Sequence, residues 1–219
     1  GKKIRQYLFS SAPIGEVKAR PYFEEMAEFI RANHSRFDII HISSSYLAGL
    51  IDYVPSEIAR KMVLFAIDSV SLFWSRRAKA EKNLIKRTIY LHEYRRNVRH
   101  EKHRYPRFRK TVFVSSVDAT FAAAIAPGAE CITIPNGVDI DYFNVGAAER
   151  GSSMVFTGDL AYAPNRDAAD FLIDEVLPRI QVDLVPHLYL VGQRPSARLT
   201  ELNRNNITVT GFVDDLRPY

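Results

Sequence analysis

Apolar residues along this chain fall into short runs separated by longer amphipathic stretches. "FDIIHISSS" is apolar over residues 37–42 and gives way to small polar residues, the pattern of a strand running into a loop. "MVLFAID" (62–68), "TVFVSS" (111–116) and "CITI" (131–134) read the same way, and residues 4–9 form another short apolar run. Their continuous character is that of parallel strands covered on both faces. Between the runs, Phe23, Met26, Ala27 and Ile30 recur at helical spacing and predict a helix over 22–32. Leu84, Leu91 and Val98 lie on one stripe and predict a single long helix over 75–101. Residues 118–126 are helical in pattern and stop at Pro127-Gly128.

The alternation halts at "TIPNGVDIDYF" (133–143), where an apolar run ends on Pro135-Asn136-Gly137 and leads into two acids and two aromatics without a regular period. It then restarts. Predicted strands at 154–157, 187–192 and 207–211 run to glycines: Gly158, Gly192 and Gly211. A helix capped by Asn165 and running to about residue 180, and a short one over 198–202, lie between them. Strands separated by helices of this length indicate parallel βαβ units. The prediction is an α/β chain of two Rossmann-like parallel-sheet domains, residues 1–143 and 144–219, with no tandem repeat.

Composition narrows the class. The chain is 47% hydrophobic and 25% charged, which excludes bulk disorder. No segment approaches the roughly 18–20 apolar residues of a spanning helix. The start, "GKKIRQYLFSS", lacks the apolar core of a secretory signal. One cysteine, Cys131, makes no internal disulfide and suits a reducing compartment. The net charge of +5 conceals an asymmetry: residues 76–110 hold 14 Lys and Arg against 3 Glu. Such a block suits phosphate or an anionic lipid face, or is simply a solvated helix surface. Nucleic-acid binding is not predicted, because Tyr90, Tyr94, Tyr105 and Phe108 read as helix packing rather than as a stacking platform.

In open parallel sheets ligands bind beyond the carboxyl ends of the strands. Gly158, Gly192 and Gly211 stand there, where a missing Cβ lets backbone approach a ligand. After Gly158, Pro164-Asn165 leads into a helix whose first turn suits a diphosphate; any βαβ turn needs the same residues. Arg166 and Arg194 lie near these strand ends, with reach to phosphate oxygens or to solvent alone. His100 and His103 form an HxxH pair on the basic helix, where neighbouring cations disfavour a metal, so no metal site is predicted. His41 is expected to pack in the core. No nucleophile elbow, P-loop or complete dinucleotide fingerprint is present.

The ordered set resembles glycosyltransferase family 4 (group 1), of the two-Rossmann GT-B fold. "IPNGVDIDYF" is similar to the crossing from the first domain to the second. "MVFTGDLAYAPNRDAADFLIDEVLPRI", "HLYLVGQRPSARLTEL" and "ITVTGFVDDLRPY" look like the first units of the second domain. "AIDSVSLFWSRRA" and "VFVSSVDATF" are similar to strands and exits of the first. The subgroup resembles bacterial transferases that build surface polysaccharide or glycolipid.

The resemblance implies transfer of a sugar, with retention, from a nucleotide-sugar of UDP or GDP type to a glycan or lipid-linked acceptor, with no further cofactor. It places Gly158 and its loop at the diphosphate, Gly192 and Gln193 beside the nucleotide, and Phe212 and Val213 at the base. Two positions depart from the family. Asp159 stands where relatives carry an early Arg or Lys, leaving Arg166 as a substitute. Asp68 stands where many carry His; it either polarises the acceptor or caps the next helix.

The basic block, with Phe73 and Trp74 ahead of it, is expected to meet an anionic membrane, which places the protein in the cytoplasm or on the inner face of the plasma membrane. The family's later acidic motif falls past Tyr219, the opening glycine-rich turn is not evident, and a complete second domain takes on the order of 150 residues. The expectation is an internal fragment with both domains incomplete, inactive by itself. The alternatives are a nucleotide-sugar epimerase of the same fold, and a non-catalytic domain that docks on membrane or polyanion through residues 76–110.

Overall fold

A computed structural model describes residues 10–143, 153–180, 187–203 and 206–219. The chain divides into two compact units, Gly1–Gly137 and Val138–Tyr219. The apolar run at residues 4–9 lies outside the described residues.

The first unit holds a parallel sheet of four strands in sequential order: β1 (Ile40–Ser43), β2 (Met62–Ile67), β3 (Lys110–Phe113) and β4 (Cys131–Thr133). Burial alternates along β2. Met62, Leu64 and Ala66 enter the core, while Val63 and Phe65 are half-covered and Ile67 is exposed. The core joins these residues to Phe23, Leu50, Ile51, Ile58, Tyr105 and Phe113. His41 is not in that core. It is exposed on β1, with its ring 5.7 Å from that of Phe65, because the period-2 pleat turns it to the face opposite Ile42.

Helices α1 (Ile14–Ala19), α2 (Phe23–Asn33), α3 (Ser56–Ala59), α4 (Val70–Ala80), α5 (Leu84–Arg104) and α6 (Ser116–Ile125) complete the first unit, with a 3-10 segment at Ser45–Tyr53. The single helix predicted over 75–101 is two. Asn83 breaks it by capping the second piece, its side chain accepting from the Lys86 amide. Nor does the stripe Leu84, Leu91, Val98 seat α5. Leu84 is 73% exposed, and the buried face carries Glu93, Arg96, Asn97, His100 and Glu101. The reason is what lies beneath: polar loop backbone and hydroxyls. Glu101 accepts from the Ser71 amide (2.9 Å) and the hydroxyls of Ser71 (2.6 Å) and Ser69 (3.2 Å), which follow β2. His100 Nε2 lies 3.0 Å from the Ser45 carbonyl, just past β1. Helix α5 thus lies across the carboxyl edge of the sheet, held by polar contacts.

The second unit is a parallel sheet of β5 (Ser153–Thr157), β6 (His187–Val191) and β7 (Ile207–Gly211), again in sequential order. Leu188, Leu190, Leu199, Ile207, Leu160 and Ala169 form its core. Helix α7 (Ala163–Phe171) continues through one π turn at Leu172–Val176 and a 3-10 turn to Arg179; α8 spans Ala197–Glu201. Residues 138–143 go with this unit. Asp139 accepts from the amides of Asp141 and Tyr142, and the Tyr142 hydroxyl donates to Asp215 (3.2 Å) while Arg217 lies 4.1 Å from the Tyr142 ring.

Candidate functional site

The carboxyl ends of β5, β6 and β7 meet around a cavity of about 270 Å³. Gly158 and Asp159, Gly192 and Gln193, and Phe212 and Val213 line it, two from the end of each strand. The loops are fastened edge to edge: the Gly158 amide donates to Val191, Gly192 to Gly211, and Leu160 to Gln193. Gly158 and Gly192 therefore spend their N–H groups within the protein. A Cβ on Gly192 would stand 1.7 Å from the Gly158 carbonyl oxygen, so its glycine serves the contact between loops. Gly211 has φ +71°, the left-handed conformation that glycine adopts without cost. At the rim Phe212 is 72% exposed, a bare aromatic face.

Asn165, Arg166 and Arg194 do not line the cavity. Asn165 does not cap α7. It lies inside the first turn, behind Tyr162 and Pro164, and donates from Nδ2 to the Asp159 carbonyl (3.1 Å). It fixes the loop after Gly158 and occupies the space a side chain there would need. Arg166 is exposed on α7 and makes no side-chain hydrogen bond or ion pair with a described residue. Arg194 forms an ion pair with Asp159, and that bond, with the Ala161 amide, holds the Asp159 carboxyl below its usual range. A guanidinium thus reaches the loop after β5, carried by the loop after β6. Sequence spacing does not reveal this, because the two residues meet only through sheet pairing.

In the first unit Asp68 follows Ile67, whose φ of +71° is an outlier for a β-branched residue. Pairing between β2 and β3 slips one residue at this point. The helix that follows is capped by Ser69, whose hydroxyl accepts from the Leu72 amide, so Asp68 is not the cap. Asp68 lines a cavity of about 470 Å³ with Phe73, Arg76, Arg77 and Asp118. Partial desolvation and the charge of Asp118 push its carboxyl up. Among the described residues no cluster of His, Cys, Asp or Glu is arranged to hold a metal ion, and no helix is long and apolar enough to cross a membrane.

Residues 151–219 match the family model described as Glycosyl transferases group 1. The match covers 69 of the 219 residues, all within the second unit. No curated protein matches the chain. The matched segment includes all three strands around the glycine-edged cavity and Phe212 at its rim. The two parallel sheets, one in each unit, make this a mixed α/β chain of Rossmann-like type.

Proposed function

We propose that this chain is a retaining glycosyltransferase that takes a nucleotide-sugar of UDP or GDP type and a glycan or lipid-linked acceptor, as in bacterial surface-polysaccharide or glycolipid synthesis. The observation that carries the reading is the convergence of Gly158, Asp159, Gly192, Gln193, Phe212 and Val213 on one cavity in the segment matched by the group 1 family. The cavity is smaller than the roughly 300–1,000 Å³ of a complete small-molecule site and holds part of the donor. The nucleobase stacks on Phe212 and meets the Val213 backbone. The diphosphate lies toward the Asp159 loop, where Arg194 and the first turn of α7, including Asn165 and Arg166, supply positive potential. In the reaction the anomeric C–O bond to phosphate breaks and the nucleoside diphosphate leaves with the electron pair. The acceptor oxygen bonds the anomeric carbon and its proton passes to a base. Asp68, its carboxyl pushed up, is assigned to orient the acceptor hydroxyl.

Titration of UDP and GDP by calorimetry tests this. One of them binds saturably, and Phe212→Ala weakens it on the order of tenfold, the worth of a lost stacking contact. No saturable binding of either, or an unchanged Kd in Phe212→Ala, overturns it.

A second part of the reading concerns the membrane. Residues 82–89 are all exposed at the tip of the α4–α5 hairpin, and Leu84, Ile85 and Ile89 stand among Lys82, Lys86 and Arg87. We assign this tip to peripheral contact with anionic lipid, the apolar residues entering the headgroup layer between the cations. Trp74 is not part of the tip. It packs on Tyr90 across the hairpin, 5.4 Å between ring centroids.

A further inference from the structure

A second basic concavity lies in the first unit, away from Asp68. It encloses about 190 Å³ and is lined by five arginines, Arg20, Arg96, Arg99, Arg104 and Arg107, against one carboxylate, Asp52. His100 and His103 complete the wall. Basic residues at a helix carboxyl end offset its dipole, which accounts for the sign of the last turn of α5. Arg20 likewise closes α1, but the dipole does not account for Arg107, carried by another segment and drawn into the same hollow.

The arrangement is built. Glu16, 1% exposed beneath the wall, accepts from Arg20 (2.7 Å) and Arg104 (2.7 Å) and lies 2.8 Å from His100 Nδ1. Asp52 holds Arg104 from the other side (2.9 Å) and pairs with Arg107, which also donates to the Ile51 carbonyl (2.8 Å). Glu16 and Asp52 thus fix three guanidinium groups, and Glu93 holds Arg96 (2.7 Å). Arg99 and His103 stand exposed at the rim, four residues apart on one face of α5, and their side chains make no hydrogen bond or ion pair with any described residue. Cationic groups outnumber the anions that hold them, and arginine forks match phosphate oxygens.

We propose that this hollow binds a phosphate or pyrophosphate group, either free or borne by a lipid-linked molecule. The volume is that of about six waters at roughly 30 Å³ each. That admits one or two phosphate groups. The site is independent of the donor cavity in the second unit and stands whether or not that cavity binds a nucleotide.

Calorimetric titration of the full chain with inorganic pyrophosphate, at ionic strength matched with chloride, tests the proposal. Saturable binding is expected. Arg99→Glu weakens it on the order of tenfold, since the rim side chain enters no internal bond, and His103→Ala weakens it less. Circular dichroism on each variant keeps loss of fold apart from loss of binding. Geranyl pyrophosphate is the second arm: tighter binding than pyrophosphate identifies a lipid-borne group, and equal or weaker binding identifies a free one, the site standing in both cases. No saturable pyrophosphate binding, or binding that folded Arg99→Glu retains in full, overturns it.

Discussion

At the scale of single residues, Gly192 and Glu16 make opposite demands on chemistry. Gly192 must lack a side chain. The Gly158 carbonyl occupies the place of a Cβ, and that oxygen is backbone, which cannot swing away. Gly192→Ala is expected to destabilise the second unit by about 2 kcal/mol or more and to weaken nucleoside diphosphate binding with it, measured by urea unfolding and calorimetry. Glu16 must keep its charge. Burial alone would push its carboxyl up, but the hydrogen bonds from His100 and Arg20 and the charge of Arg104 outweigh burial and hold it at about 2, against an ordinary 4.5. A value lowered by folding means stability that is complete above about pH 5 and lost as pH falls toward 2. Its size is on the order of 3 kcal/mol. Glu16→Gln removes that portion of the acid dependence, read from urea midpoints between pH 5 and pH 2.5.

At the scale of elements, the α4–α5 hairpin shows where sequence and structure part. The strands were legible because each is a short apolar run closed by small or turn-forming residues; β2, β3 and β4 sit within a residue or two of their predicted places. The cavity was legible too, since strand-terminal glycines mark the carboxyl edge of a parallel sheet. Helix α5 was not. Its apolar residues are concentrated at the exposed tip, and its seat is polar, so hydrophobic spacing points to the wrong face. The ion pair of Asp159 with Arg194 was hidden for a related reason: 35 residues separate partners that only the pairing of β5 with β6 brings together. The exposed tip predicts an outcome of its own. Replacing both Ile85 and Ile89 with Asp abolishes co-sedimentation with vesicles containing anionic phosphatidylserine. The thermal midpoint changes little, because both side chains are already in water. Binding that persists in the double variant removes the assignment.

At the scale of the whole molecule, each unit has a core of its own, one built on four strands and one on three. Separate cores predict separate melting. Differential scanning calorimetry is expected to resolve two transitions. UDP or GDP raises one and pyrophosphate raises the other, since each ligand stabilises only the unit that binds it. Gly192→Ala lowers the first of these without moving the second. A single transition shifted equally by both ligands is the contrary result.

The polar bed under α5 has a bearing on how fixed its outer surface is. Greasy stripes tolerate a few degrees of roll, because dispersion forces have no preferred heading. Glu101 lodged between two serine hydroxyls and an amide sets the roll of the helix, and with it the face from which Arg99 and Arg104 project. The helix works like a key bitted on its hidden edge: what is cut into the concealed side determines the bearing of the teeth that meet a visitor.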